Sequence, residues 1–507
     1  MVARSRDETE PLLGSADNAR GRSAGSKKLL ILVVCSIFVL ALDFGFFLGT
    51  APQTQIFEQI ICRNYQTNLH RAGNITNGDP CKSEAVQGEL ALVIGLKDTF
   101  EGIPSILLSL PYGVLSDHWG RKPVMGLALL GLILGEAWVR LVCWWSDVLP
   151  LRIIWFSGVF RLIGGGDVVL SAIALVMVAD VFSEEEVATA LFRLSSCVTL
   201  AEVLATPISA YLMTTYNLWF PYILGIGIVI LGVTPMYFLP ETLEDAKAKK
   251  RSQVIATEDD DDDDQTQPPV NKTMRDEIIS KLREFKKSTQ FIWKDLNVCL
   301  AILIFFVSFV SKQSSNILMQ YASKKFHWSI AQASLLISLR GTFVLVNFLI
   351  LMPATNFLLG KYLHLHGKWR DLRMSQVSGL LAVIGFAAMF VAPVPAILIF
   401  GLVILSLGST FAVSSRSLAT AIVLPDHVGT LFSAIAVAQS VGMLVSGPLF
   451  AALFRLGMHL GNAWMGLPFL QAALFCVVAS VAVSCIRLRP SQHNGQEEEQ
   501  EPLLLPE

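Results

Sequence analysis

Apolar residues in this chain come in long blocks, separated by short polar breaks, from residue 29 to residue 485. A helix rises 1.5 Å per residue, so about 20 apolar residues cross a hydrocarbon core of ~30 Å. Twelve segments meet that length, at 29–49, 89–113, 123–143, 151–179, 190–213, 219–239, 297–319, 329–353, 375–392, 396–422, 430–453 and 463–485. The pattern predicts an all-α membrane protein with twelve transmembrane helices. The first 28 residues are polar and the first apolar run is long, which argues against a cleavable signal peptide. Composition agrees: 53% of residues are hydrophobic and only 16% charged, against roughly a quarter charged in soluble proteins. The net charge of −2 gives no reason to expect a nucleic-acid partner.

Lysine and arginine set the orientation. Arg20, Arg22, Lys27 and Lys28 precede span 1, Arg121 and Lys122 follow span 2, and Lys361, Lys368, Arg370 and Arg373 lie between spans 8 and 9. Arg487 and Arg489 follow span 12. With twelve spans these all fall on one side, which places both tails in the cytoplasm; Lys324 and Lys325 are the exception on the other side. The loop at 50–88 then faces outward. It holds the glycosylation sequon Asn74-Ile75-Thr76, and Cys62 and Cys81, which an oxidising lumen would allow to pair. A second sequon at Asn271 falls on the cytoplasmic side. The other six cysteines lie in or beside apolar runs, and no spacing suits zinc. The expected cofactor content is none.

The two halves echo each other. Leu96-Lys97-Asp98-Thr99-Phe100 aligns with Leu339-Arg340-Gly341-Thr342-Phe343, and Gly113-xxx-Asp117-xx-Gly120-Arg121 with Gly360-xxx-His364-xx-Gly367-Lys368. The expected organisation is a cytoplasmic tail (1–28), a six-helix bundle (29–239), a cytoplasmic linker (240–296), a second six-helix bundle (297–485) and a cytoplasmic tail (486–507). The linker holds the acidic run Asp259–Asp264, read as a solvated spacer, and then an amphipathic stretch around Ile278, Leu282 and Phe285. Duplicated bundles characterise secondary transporters, with the substrate held between repeats near the midplane.

The segment Gly113-Val-Leu-Ser-Asp117-His-Trp-Gly120-Arg121-Lys122 resembles the loop 2–3 signature of the major facilitator superfamily, G-x-x-x-D-x-x-G-R-K. The resemblance covers the whole chain, and it implies the major facilitator fold and a gating role for Gly113, Asp117, Gly120, Arg121 and Lys122. Arg161-Leu-Ile-Gly164-Gly165-Gly166-Asp167 in span 4 is similar to the family's R-x-x-x-G proton-antiporter signature. It departs from that signature in having Gly164 where a polar residue is usual and in adding Asp167. The sugar-porter motifs are incomplete. The overall look resembles fungal members that export drugs or secondary metabolites.

Charges inside spans are costly and mark function by default. Counted at 1.5 Å per residue, Glu101, Asp167 and Glu202 each lie roughly 18 Å from the cytoplasmic ends, with Asp43 slightly beyond. Lys97 and Arg161 lie close by, and Lys97 can pair with Glu101 at i,i+4. The second half instead presents Lys312 and Arg340. A division of labour follows: Glu202, Asp167, Glu101, Asp43 and Arg161 for proton coupling, and Lys312, Arg340 and Lys97 for an electron-rich part of the substrate. Structural ion pairing is the competing explanation, strongest for Lys97 with Glu101.

The expected function is proton-driven export of small organic molecules. Proton-coupled uptake of an organic anion is the alternative, and a non-transporting receptor on the same scaffold a more distant one. No constellation of nucleophile, base or metal suggests an enzyme. The expected partners are a small organic substrate, protons and the lipid bilayer, with the chain acting as a monomer. Acidic dileucine-like patterns at Glu8-xxx-Leu12-Leu13 and Glu499-xxx-Leu503-Leu504 set a vacuolar membrane beside the plasma membrane as the location.

Overall fold

A computed structural model describes residues 11–71, 79–182, 184–238, 241–244, 296–363, 367–423 and 428–486. Asn74, Asn271, the acidic run 259–264, the amphipathic stretch of the linker and the C-terminal dileucine pattern lie outside these residues. Twelve helical spans run through the described chain. The first six are α1 (Pro11–Arg71), α2 (Glu84–Trp119), α3 (Arg121–Trp144), α4 (Leu151–Phe156, Ser157–Phe160 and Gly166–Val181), α5 (Glu184–Thr215) and α6 (Trp219–Gly232). The second six are α7 (Leu296–Gln313, Ser314–Ile317 and Leu318–Phe326), α8 (Ile330–Val346, Asn347–Leu351 and Met352–Leu363) and α9 (Lys368–Val391). They continue as α10 (Pro395–Leu407, Gly408–Thr410 and Phe411–Ile422), α11 (Val428–His459) and α12 (Leu467–Cys485).

Ten of these are long and apolar enough to cross a bilayer on length and composition alone. The other two are α2, which carries Lys97, Asp98 and Glu101 within two turns, and α4, which is broken in the middle. Both bring charge to the interior, Lys97, Asp98 and Glu101 from α2 and Arg161 and Asp167 from α4.

Two features differ from expectation. The first concerns the outer loop at 50–88, which is much shorter than the apolar count implies. Helix α1 continues to Arg71 and α2 begins at Glu84, where Ser83 accepts a hydrogen bond from the Val86 amide. Ile56, Phe57, Ile60 and Ile61 bury a helical face against α2 and α3, so packing extends α1 past its most apolar stretch. Pro52 sits inside it and cannot donate to the Leu48 carbonyl. The Ser209 hydroxyl of α5 donates to that carbonyl instead, at 2.7 Å.

The second is the break in α4. Gly164, Gly165 and Gly166 have φ of +78°, +77° and +66°, a left-handed run that only glycine adopts cheaply. A Cβ on Gly164 would lie 2.2 Å from the Ala128 nitrogen of α3, and one on Gly166 would lie 2.8 Å from the Arg161 Cδ. The glycines thus let α4 press onto α3 and leave room for the Arg161 side chain to fold back across the break.

The two six-helix groups meet along a seam. Gly95 of α2 faces Gly447 of α11 so closely that a Cβ on either would strike the other's carbonyl. Thr99 donates to the Leu444 carbonyl at 3.2 Å, and Ser338 of α8 to the Val203 carbonyl of α5 at 2.8 Å. Apolar packing shows where the seam is shut. At the end bearing Cys62 and Cys81, one cluster joins Ala51, Ala91, Ala210 and Met213 of the first half to Ile317, Phe450 and Phe454 of the second. At the end bearing Arg121, the clusters stay within one half, around Met125 and Met177 or around Val298 and Leu431. A Cβ on Gly113, near that end of α2, would meet nothing within 4 Å. Among the described residues the halves pack together at the disulfide end and share no apolar cluster at the basic end.

Candidate functional site

A cavity of about 750 Å³ lies between the halves. Spans α1 to α5 supply most of its wall, and α7 and α8 the rest. The face of α1 that lines it reads Val39, Asp43, Phe46, Thr50, Gln53 and Phe57, spaced three or four residues apart as one side of a helix requires. All four aromatic rings on the wall, Phe38, Phe46, Phe47 and Phe57, come from this helix.

The first half holds a buried charge network. Glu101 is its hub: Lys97 Nζ lies 2.9 Å from Oε1, the Ser157 hydroxyl donates to Oε1 at 2.5 Å, and Arg161 Nη2 donates to Oε2 at 3.1 Å. Arg161 also lies 4.0 Å from Glu136 and 3.9 Å from Asp167. Glu136 in turn accepts from Arg140 at 2.7 Å, and the Arg140 guanidinium rests 4.1 Å from the centre of the Tyr222 ring. Desolvated ions hold together only when partnered this fully. The glycine break delivers Arg161 to this network.

Glu202 of α5 and Arg340 of α8 meet across the seam, with Nη2 2.5 Å from Oε1. Among the described residues this is the one ion pair between the halves. The sequence assigned these two groups to separate tasks because midplane acids fall in the first half and cations in the second; neither has an oppositely charged neighbour nearby in the chain. The repeat had placed Lys97 and Arg340 at equivalent positions. Lys97 binds a carboxylate of its own half, and Arg340 one of the opposite half.

Other expected site residues scatter differently. Asp43 and Asp167 line the cavity, as does Asp98, and Asp43 and Asp98 have no ion-pair partner among the described residues. Lys312 is not part of the wall. It lies one turn before Ser315 and Asn316, which are. Glu136, Arg140 and Asp98 were not singled out from sequence as site residues, although Glu136 and Arg140, four residues apart in an apolar run, carried the same signal as Lys97 and Glu101.

The signature loop ties together the basic end of the first half. Arg121 donates to Asp117 at 2.6 Å, to Ser116 at 2.8 Å and to Asp180 of α4 at 3.2 Å. The Glu241 carboxylate accepts the Arg121 and Lys122 amides at the start of α3, at 2.8 and 3.2 Å, an anion at a helix N-terminus. Gly120 has φ of +106°, and a Cβ there would lie 2.7 Å from Glu241. These contacts join α2, α3, α4 and the segment after α6 into one rigid end.

At the opposite end a disulfide joins Cys62 to Cys81. Beside it Lys82 contacts Glu58 at 2.5 Å and reaches over the seam to the Ser323 hydroxyl of α7 at 2.6 Å, while Lys324 donates to the Lys82 carbonyl. These contacts shut the cavity on that side. Among the described residues no cluster of ligands suits a metal.

A family model described as Major Facilitator Superfamily matches residues 33–311 and 301–506. The chain is 34% identical to the MFS-type transporter avaK of Aspergillus versicolor over 94% of its own length and 96% of the relative's. It is 35% identical to the efflux pump ustT of Aspergillus flavus, over 90% and 89%. Among solved structures, the nucleoside transporter NupG superposes with a TM-score of 0.60 at 13% identity, covering 90% of this chain and 99% of that one.

Proposed function

We propose, since the chain belongs to the Major Facilitator Superfamily, that it is a secondary transporter exporting small organic molecules, driven by a proton gradient. The observation that carries the reading is the cavity of about 750 Å³ between two halves, shut at one end and parted at the other. That volume suits a drug-sized solute. With the basic end cytoplasmic, the structure stands open to the compartment from which an exporter loads. Relatives described as efflux pumps support the same direction. The chain is a multi-pass membrane protein. We assign it to the plasma membrane, with the vacuolar membrane as the alternative, and to function as a monomer. The deciding experiment is proton flux in proteoliposomes of the purified protein against a panel of organic compounds. No compound-dependent proton movement for any of them would end the proton-driven reading.

Within this reading Glu202 and Arg340 couple the proton to the seam, whereas Glu101, held by Lys97, Ser157 and Arg161 together, acts as the anchor of the network. The cytoplasmic assignment makes its own prediction. A cytoplasmic basic end would put the Asn74 sequon on the lumenal side and the Asn271 sequon on the cytosolic side, so mass spectrometry of the protein from its secretory route should find glycan at Asn74 alone. Glycan on Asn271 would invert the topology.

The signature loop makes another. Asp117→Ala removes one of three anchors of Arg121 while leaving the cavity wall intact. Turnover should fall about tenfold, the equivalent of ~1.4 kcal/mol in the barrier, with substrate affinity little changed. Normal turnover at saturation combined with weakened binding would contradict a gating role.

A further inference from the structure

The balance of charge on the cavity wall identifies the kind of solute it holds. Five acidic and four basic side chains line the cavity. Every one of the four cations is already engaged. Arg340 is held by Glu202 at 2.5 Å, a carboxylate that stands behind the wall. Arg140 is held by Glu136 at 2.7 Å and lies on the Tyr222 ring. Lys97 and Arg161 share Glu101. An anionic solute could reach a cation of the wall only by displacing its partner, which strands a charge in low dielectric.

The acids are not so matched. Asp43 and Asp98 have no cation within ion-pair distance among the described residues. The two differ in surroundings. Asp98 also borders a recess of about 20 Å³ shared with Gln313, Asn316 and Gln320, enough for about one water molecule, so amides and water can solvate it. Asp43 stands on the aromatic face of α1. Phe46 and Phe47 follow it by three and four residues and therefore sit over the same side of the helix. A carboxylate framed by ring faces is a receptor for an onium centre: the acid supplies the opposite charge, and the rings attract the cation through their quadrupoles while covering its alkyl groups.

On the reading of this chain as an exporter, we propose that its substrate is an organic cation, a protonated or quaternary amine on an apolar body, with the charged centre held by Asp43 between Phe46 and Phe47. This class is opposite in sign to the electron-rich group that Lys312 and Arg340 suggest when the sequence is read alone.

The test uses two probes of the same size and shape and opposite charge, tritiated tetraphenylphosphonium and tetraphenylborate. The full-length protein is placed in lipid nanodiscs, and binding to empty discs is subtracted. The phosphonium should bind on the order of tenfold or more tightly than the borate. Asp43→Asn should weaken phosphonium binding by a similar factor, and Asp43→Glu should restore most of it, with all variants monodisperse and of wild-type melting temperature. Equal or tighter borate binding, no phosphonium binding, or phosphonium binding unaltered in both Asp43→Asn and Asp43→Ala would overturn the proposal. The export reading is tested apart from it, in inverted vesicles energised with a pH gradient. Phosphonium that binds through Asp43 but is not moved would remove export and leave the substrate class standing. Vesicles that move the borate in place of the phosphonium would keep export and remove the class.

Discussion

Glu202→Gln is expected to abolish transport driven by a pH gradient, by on the order of a hundredfold or more in rate, while still permitting substrate exchange across vesicles without a gradient. The pair it breaks, Glu202 with Arg340 at 2.5 Å, is the one ion pair between the halves among the described residues. It lies beside the points where α5 and α8 touch, at Ser338 with Val203 and at Gly341 against the Glu202 side chain. Breaking a buried ion pair by neutralising one member costs about 3–5 kcal/mol, enough to bias two arrangements of the halves by several hundredfold. Proton binding at Glu202 would do this reversibly, and glutamine would do it permanently while preserving size and one hydrogen bond. A locked neutral residue can still allow the halves to rock with substrate, but cannot link that motion to proton movement. Arg340→Gln should share the loss of coupling. If Glu202→Gln retained full dependence on the pH gradient, the proton site would move to Asp167.

The second large effect is on stability. Glu101→Ala should lower the melting temperature of the purified protein sharply, the equivalent of about 3–5 kcal/mol. It removes the carboxylate that Lys97, Ser157 and Arg161 all address, and leaves Arg161 facing Glu136 at 4.0 Å and Asp167 at 3.9 Å. Arg161 already carries two buried nitrogens, Nε and Nη1, without a hydrogen-bond acceptor, so it has no spare partner. Lys97→Met alone should be milder, because Glu101 keeps Arg161. The double variant Lys97→Met with Glu101→Ala should recover part of the loss, since it removes one cation along with the acid. A double-mutant cycle read by thermal unfolding measures this coupling. Additive losses in that cycle would show that Lys97 and Glu101 do not depend on each other for stability.

Hydrophobic spacing gave the all-α class and the expected spans, lysine and arginine the expected orientation, echoes between the halves the expected duplication, and the Gly113 to Lys122 segment the resemblance to the family. Those properties are local or cumulative. A run of about 20 apolar residues has few stable fates outside lipid, and a signature such as Gly113 to Lys122 is contiguous. Lys97 with Glu101 was also legible, because partners four residues apart on a helix meet whatever the rest of the chain does. Glu136 with Arg140 obeyed the same rule.

Partners supplied by different helices were decided only in three dimensions. Glu202 and Arg340 are 138 residues apart, and only the meeting of α5 with α8 brings them into contact. The same holds for Ser209 and the Leu48 carbonyl left open by Pro52. Span 4 was expected as one uninterrupted helix, and the left-handed backbone of Gly164 to Gly166 and the return of Arg161 to Glu101 depend on how closely α3 approaches. The sign of the cavity likewise depends on tertiary structure. The sequence counted charges by helix, whereas the field a solute meets is set by which charges remain after each has found its partner. Folding paired the four cations of the wall and left Asp43 and Asp98 without an ion-pair partner among the described residues, because a desolvated charge is held where the geometry supplies an opposite one and these two acids were given none.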